Sequence, residues 1–256
     1  MKILKFKKQS KDKYKLYLDN NSDITLYEDV IIKNNLLITK EISDELLEVL
    51  KKQNNDMYAY TLALGYISVK MRSIKEINDY LIKKGFNNLV ANKVSERLIK
   101  EGYLNDLKYA KSFINDSMNL TNKGPQKIKM ELINYGVNKD IIESEIALID
   151  QRKVEEKLNK LIDKELKIKK GSQNAIKIKI INHFVNLGYS KDLVTDILTG
   201  KEITSDKLKL KKDYAKLYNK YKVKYNGQEL LYFISQKLYS KGYTASDIKE
   251  VLKEEN

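Results

Sequence analysis

The ten-residue stretch INDYLIKKGF, residues 77–86, decides the fold because its pattern returns three more times along the chain. Each copy has Ile, an apolar residue four positions later, Gly four positions after that, and then Phe, Val or Tyr. The other copies are IKMELINYGV (128–137), IINHFVNLGY (180–189) and ISQKLYSKGY (234–243). The glycines lie 51, 52 and 54 residues apart. Such regular spacing predicts a tandem repeat.

Each copy predicts the middle helix of one repeat. Apolar residues four apart share a helix face, and the glycine suits a left-handed C-terminal cap. Start signals lie upstream: Ser73 and Glu76 form a capping-box pattern, Pro125 suits the first helical position, and the later copies begin near Ser172 and Asn226. A further helix follows each glycine. A preceding helix is predicted in each period, over residues 54–68, 106–120, 151–169 and 205–221.

The first sixty residues have a different character. Residues 14–18 alternate as a strand does, residues 19–22 have turn composition, and residues 24–27 are a β-rich return, which together predict a hairpin. Residues 3–6 are compatible with one more strand. A short helix over 29–34 and a second helix entered at Ser43 complete this segment.

These elements predict a mainly α protein. We expect tandem three-helix repeats that form an elongated, curved array with a concave surface, preceded by a small cap that contains the β-hairpin. The expected boundaries are 1–53 for the cap and 54–105, 106–150, 151–203 and 204–256 for the four repeats.

Composition excludes several function classes. The chain has no cysteine, which excludes a disulfide framework and a thiolate zinc site. It has one histidine, His183, which leaves little material for a transition-metal site or a Ser-His-Asp triad. Phosphate-binding glycine loops and calcium loops are missing as well. We therefore expect no enzyme and no cofactor. No signal peptide and no long apolar run occurs, so we expect a cytoplasmic protein without a membrane partner.

Charge points to a polyanionic partner. The net charge is +14, and 46 of the 49 cations are lysine, an excess that an AT-biased genome can explain. Its distribution is informative, because residues 151–203 and 204–256 each hold twelve cations and seven anions. This gradient favours nucleic acid over a merely solvated surface.

Two lysine clusters are candidate contacts to nucleic acid. Lysines bind phosphates as point charges, which gives affinity and salt dependence with little sequence preference. The alternative is a solvated helix face in a lysine-rich protein. The first cluster comprises Lys164, Lys167, Lys169 and Lys170 with Lys177 and Lys179, and the second comprises Lys207, Lys209, Lys211 and Lys212.

Arginine and tyrosine positions carry two further expectations. Arg72 is one of three arginines, and its planar fork suits either phosphate or an intramolecular carboxylate such as Asp106; the sequence does not separate the two. Lys123, Lys127 and Lys129 flank the Gly124-Pro125 turn, and Gly124 and Pro125 themselves favour the start of a helix. Tyrosines recur between lysines at 214, 218, 221 and 225; they could stack bases, but their spacing favours a buried stripe.

The first two repeats resemble the RecX family, bacterial regulators of the RecA recombinase. The resemblance covers about residues 58–150 and continues to the end mainly through the repeat spacing. It rests on MRSIKEI (71–77), the Leu81 to Phe86 copy, GYLND (102–106) with Tyr109 and Ala110, and KGPQKI (123–128) with its copy ending at Val137. The third and fourth repeats depart from the family by their lysine-rich helices.

This resemblance implies a protein that lies in the groove of the RecA–single-stranded-DNA filament. There it would limit filament extension or promote disassembly, and so lower ATP hydrolysis, strand exchange and co-protease activity. The resemblance also implies that Lys123, Lys127 and Lys129 contact RecA or DNA. We expect a monomer with the RecA filament and single-stranded DNA as partners. The alternative is a generic basic helical-repeat scaffold that binds another protein or nucleic acid. A sequence-reading RNA repeat is less favoured, because no variable polar pair recurs at a fixed offset.

Overall fold

The computed structural model describes residues 1–254, and these are mostly helical. Three strands precede the main helical region: β1 (Ile3–Ser10), β2 (Lys13–Leu18) and β3 (Asp23–Tyr27). The helices are α1 (Glu28–Lys33), α2 (Leu36–Thr39), α3 (Asp44–Ile67), α4 (Ile74–Lys83), α5 (Asn88–Lys100), α6 (Asp106–Leu120), α7 (Pro125–Asn134), α8 (Lys139–Ala147), α9 (Gln151–Ile168), α10 (Gln173–Asn186), α11 (Lys191–Thr199), α12 (Lys207–Tyr221), α13 (Gly227–Ser240) and α14 (Ala245–Glu254).

The N-terminal segment is an antiparallel sheet of order β1-β2-β3. The predicted hairpin is confirmed as β2 and β3, and the residues compatible with a strand belong to β1. One face of the sheet buries Leu16, Leu18 and Leu26 against α1 and α3. The Asn54 side chain ties β3 to α3, because it accepts a hydrogen bond from Tyr27 N (2.9 Å) and donates one to Thr25 O (3.1 Å).

Helix α3 spans the predicted boundary between cap and first repeat. It begins after Ser43, whose Oγ accepts a hydrogen bond from Leu46 N, and runs unbroken to Ile67. The boundary expected at 53/54 therefore falls inside a helix, and the helix expected over 54–68 starts at Asp44. No Gly or Pro interrupts residues 44–64. The first half of α3 packs on the sheet, and the second half packs on the first repeat.

The repeated pattern forms helix cores as predicted. Ser73 and Glu76 make the reciprocal capping box at the start of α4. Ser172 and Ser190 accept N-cap hydrogen bonds at α10 and α11. The Ile and apolar positions of all four copies are buried: Ile77, Leu81, Ile128, Leu132, Ile180, Phe184, Ile234 and Leu238. Tandem three-helix repeats are therefore the architecture of the described chain.

The chain divides into two compact units. The first contains residues 1–111 and 133–141, with one core under the sheet and another among α3, α4 and α5. The second contains residues 112–132 and those from 142 onward, with one core around α9, α10 and α11 and another around α12, α13 and α14.

One kind of contact between neighbouring repeats occurs three times. The residues that start one middle helix donate hydrogen bonds to the backbone carbonyls that end the middle helix of the next repeat. These carbonyls are among the last of a helix and have no intrahelical donor. The bonds are Ser73 Oγ to Tyr135 O (2.6 Å), Gly124 N to Leu187 O (2.7 Å), Gln126 N to Gly188 O (3.0 Å), Ser172 Oγ to Lys241 O (2.6 Å) and Asn174 N to Gly242 O (3.4 Å).

Close approach at this junction explains why the repeat glycine has no side chain. Gly136, Gly188 and Gly242 have φ of 76°, 91° and 86°. A Cβ on Gly136 would lie 2.7 Å from the Lys75 Cβ, and one on Gly188 would overlap the Lys127 backbone. Gly85 has the same conformation, with φ of 93°, but open space around it. Gly85 therefore needs glycine only for its backbone conformation.

We predict that Gly188→Ala destabilises the protein more than Gly85→Ala does. Both variants put Ala in the left-handed region, which costs about 1 kcal/mol. Gly188→Ala must also displace the backbone at Lys127, which raises the loss to about 3 kcal/mol. Urea unfolding followed by circular dichroism measures the difference. Equal losses in the two variants would contradict the junction.

Candidate nucleic-acid interface

Arg72 lies in the first unit, and its side chain makes intramolecular contacts. Its guanidinium is 3.7 Å from the centre of the Tyr66 ring, and Nη1 donates to Glu76 Oε1 at 3.1 Å. The Arg72 side chain is only 11% exposed. Of the two partners considered for Arg72, phosphate or an intramolecular carboxylate, the structure therefore shows a carboxylate, that of Glu76. Asp106 instead accepts a hydrogen bond from Ile74 N at 3.0 Å.

Arg97 makes the same arrangement elsewhere in the first repeat. Its guanidinium is 3.8 Å from the Tyr60 ring centre, and Nε donates to Glu101, four residues later, at 2.7 Å. Tyr60 donates its hydroxyl hydrogen to the same carboxylate. Burial, as the larger cause, and this hydrogen bond, as the second cause, raise the pKa of Tyr60 to about 12. A flat guanidinium stacks on a ring as an ammonium cannot, which explains arginine in a lysine-rich chain.

Lys123 and Lys127, in the second unit, have different surroundings. Lys123 Nζ donates to Glu131 Oε2 at 2.6 Å and lies 5.8 Å from the Phe113 ring centre. Lys127 is exposed, and its backbone lies against Gly188 at the junction. Only Lys127 of the two therefore presents an unpaired ammonium group among the described residues.

The first lysine cluster lies at the end of α9 and along α10. Lys169 pairs with Glu165 at 2.9 Å, four residues earlier. Lys167 and Lys170 are exposed, Lys177 is half-buried, and within residues 1–254 none of these three has a carboxylate partner. This cluster keeps most of its positive charge unpaired.

The second cluster is largely paired with carboxylates within the fourth repeat. Lys207 pairs with Glu250 on α14. The other pairs are Lys211 with Glu254 at 2.8 Å and Lys209 with Asp213 at 4.0 Å. Lys212 is exposed, and the described chain gives it no partner. The spacing of these lysines is visible in the sequence, but their carboxylate partners on α14 are about forty residues away and no local pattern reveals them.

Asp213 anchors a buried polar network in this repeat. It accepts hydrogen bonds from Lys241 Nζ (2.7 Å) and from the Tyr243 hydroxyl (2.8 Å). Burial by itself would raise the pKa of the Asp213 carboxyl, but the two hydrogen bonds outweigh burial and the pKa lies below its ordinary value. The same burial and hydrogen bond raise the pKa of Tyr243. The ionised carboxylate therefore stabilises the repeat.

The tyrosine stripe, which comprises Tyr214, Tyr218 and Tyr221 on α12 and Tyr225 beyond its end, packs mostly into the core. Tyr214 is 4% exposed. Tyr225 stacks on Phe233 with ring centres 4.7 Å apart, and Tyr221 meets the same ring edge-on at 4.7 Å. Tyr218 is the exposed member, at 38%. A continuous base-stacking platform is not formed by this stripe.

Residues 1–254 contain neither a metal-binding cluster nor a membrane-spanning helix. No group of three or more His, Asp or Glu side chains is placed to hold a metal ion. No helix there combines the length and the apolar character that crossing a bilayer requires.

Fold and surface together define a tandem three-helix-repeat protein whose third repeat carries exposed lysines that no carboxylate of residues 1–254 neutralises. Residues 59–98 match the family model described as RecX, first three-helix domain, and residues 105–144 match RecX, second three-helix domain. A Streptococcus uberis protein named Regulatory protein RecX is 36% identical over 99% of this chain and 99% of its own length. Its Streptococcus sanguinis namesake is 33% identical with the same coverage. The chain belongs to the RecX family.

Solved structures agree with this assignment. A crystal structure of regulatory protein RecX matches with a TM-score of 0.69 over 77% of this chain and 98% of that chain, at 22% identity, which shows the shared fold. The crystal structure of RecX from Lactobacillus salivarius matches with a TM-score of 0.53, at 27% identity, over 57% of this chain and 96% of that chain.

We predict that Arg72→Ala lowers the free energy of unfolding by about 2 kcal/mol, because it removes the stacking on Tyr66 and leaves Glu76 half-buried without its partner. Arg72→Lys restores only part of the loss, since an ammonium cannot stack as the guanidinium does. Arg152→Ala is the control: Arg152 is exposed, and its loss costs less than about 0.5 kcal/mol. Chemical denaturation measures all three, and a wild-type midpoint for Arg72→Ala would refute the structural role.

We also predict acid sensitivity from Asp213. Because its folded pKa is lowered, Asp213 stabilises the fold above the ordinary aspartate pKa, and that stability is lost as the pH falls through the lowered value. Asp213→Asn should therefore cost stability at neutral pH and flatten the decline of the thermal midpoint in acid. Asp196→Asn, an exposed change of the same kind, should leave the decline as in the wild type. An unchanged decline in Asp213→Asn would exclude the network as its source.

Proposed function

We propose that this protein is a non-enzymatic regulator of the RecA recombinase. It binds RecA and RecA–single-stranded-DNA filaments and lowers ATP hydrolysis, strand exchange and co-protease activity, with a place in DNA recombination, repair and the SOS response. It acts as a monomer in the cytoplasm, where RecA works. The observation that carries the proposal is 36% identity, over nearly the whole of both chains, to a protein named Regulatory protein RecX.

The charge of the third repeat supports a polyanionic partner. Unpaired lysines at the end of α9 and on α10 leave positive charge available to phosphates, whereas most candidate lysines of α12 are neutralised by carboxylates. Among the candidates we assign contact with the filament to the unpaired group, Lys127, Lys167, Lys170, Lys177 and Lys212. Arg72, Lys123, Lys169, Lys207, Lys209 and Lys211 act mainly within the chain.

RecA ATP hydrolysis on single-stranded DNA tests this function. Submicromolar protein should lower the hydrolysis rate, and the inhibition should weaken when the salt concentration is raised, because phosphate contacts release counterions. The measurement is a titration at two salt concentrations, with filament length followed by electron microscopy. An unchanged rate and unchanged filament length at saturating protein would exclude the proposal.

A generic basic scaffold is the alternative, and charge reversal separates the two. Lys167→Glu/Lys170→Glu/Lys212→Glu changes three exposed lysines that have no carboxylate partner within residues 1–254, so the fold should survive. The matched control Lys5→Glu/Lys7→Glu/Lys11→Glu makes the same charge change at the N-terminal sheet. If these lysines contact the filament, only the first variant should lose the inhibition of RecA ATP hydrolysis. Equal inhibition by both variants favours the scaffold.

A further inference from the structure

Helix α9 concentrates lysine on one face. Five lysines recur at steps of four, three, four and three residues, which places them in one row along the helix. Val154, Leu158 and Ile162 lie on another face and are buried in the third repeat's core. The five lysines are Lys153, Lys157, Lys160, Lys164 and Lys167.

Acidic residues of the same helix do not neutralise this row. Asp163 pairs with Lys201 at 2.7 Å, and Glu165 pairs with Lys169 at 2.9 Å. Lys153, Lys160 and Lys164 are exposed, and no carboxylate within residues 1–254 pairs with them. The row therefore keeps a local excess of positive charge.

The row forms one wall of a groove of about 340 Å³, which we call the lysine groove. Its lysines are Lys153, Lys157, Lys160 and Lys164, and its other wall is residues 119–122, at the end of α6. Glu156 is the acidic residue in its lining. Lys157 Nζ donates to Met118 O at 2.6 Å, and burial lowers the pKa of Lys157. This bond fixes the two walls together.

The opposite wall offers contacts of another kind. Asn119 and Asn122 are exposed amides, and Leu120 is 80% exposed and adds an apolar surface beside them. One wall is thus cationic, whereas the other is apolar and hydrogen-bonding. A nucleotide strand has the matching division between its phosphates and its bases.

We propose that the lysine groove binds the backbone of single-stranded nucleic acid. The helical rise places Lys160 about 10 Å from Lys153 and about 6 Å from Lys164 along the α9 axis, which suits successive phosphates of an extended strand. A single strand can turn its unpaired bases toward Asn119 and Asn122 while its phosphates face the lysines, whereas the bases of a duplex are paired and stacked inside it. This assignment rests on the proposed function in one respect, that single-stranded DNA is a partner.

Fluorescence anisotropy of a labelled oligothymidylate, without RecA, tests the groove. Lys153→Gln/Lys160→Gln/Lys164→Gln should weaken binding on the order of 100-fold at about 0.1 M salt. The slope of log affinity against log salt should fall by about 2, as the loss of three phosphate contacts requires. The matched control Lys191→Gln/Lys216→Gln/Lys249→Gln removes three exposed lysines of the same unit, none of which pairs with a carboxylate of the described chain, and should bind as the wild type does.

Several outcomes would overturn the assignment. These are no binding by the wild-type protein, equal losses in both triple variants, equal affinity for duplex DNA, or equal competition by polyglutamate, which would indicate an acidic-peptide site. Unchanged circular dichroism melting shows that the variants fold. RecA ATP hydrolysis is measured separately: inhibition without groove binding refutes the groove alone, and groove binding without inhibition refutes the proposed function alone.

Discussion

The fold depends on a hydrogen-bonded junction between the start of one middle helix and the end of the next repeat's middle helix. Carbonyls at Tyr135, Leu187 and Lys241, left without intrahelical donors, accept hydrogen bonds from the neighbouring repeat. Each bond contributes about 1 kcal/mol. The junction also demands backbone contact, so a side chain at Gly188 is excluded for two reasons, conformation and space. Capping one helix and joining two repeats are thus the same interaction.

Much of the fold follows from local signals in the sequence. The repeat spacing, the capping box at Ser73 and the hairpin over β2 and β3 all depend on residues close together in the chain. The unbroken course of α3 does not, because its two halves pack on different cores and only tertiary structure shows that one helix serves both. The junction is also non-local: Ser73 signals an N-cap, but nothing in its surroundings identifies Tyr135 as a partner.

The candidate interface is less predictable than the fold for an electrostatic reason. Lysines are visible in the sequence, but the charge that remains depends on carboxylates brought in by folding. Glu250 neutralises Lys207 from a helix far along the chain, whereas Glu76 lies one turn from Arg72 and the i,i+4 rule could have found it. The α9 row differs in this respect, because its helical spacing can be read from the sequence alone. Lys153 and Lys160 do not stand out there, since acidic residues lie between them and the run no longer looks like a basic cluster.

The second unit contains both the junction and the basic surface. Its third repeat is joined to its neighbours by hydrogen bonds at Gln126 and Ser172, and it carries the row of α9 lysines. In our proposal, rigid placement of that row lets several point charges, each weak by itself, act together on the phosphates of one strand. Lysine acetylation footprinting by mass spectrometry, with and without a RecA–single-stranded-DNA filament, tests this most directly. Protection of Lys153, Lys160 and Lys164 with unchanged labelling of Lys5 is the predicted result. Equal labelling of the α9 lysines in both states would contradict it.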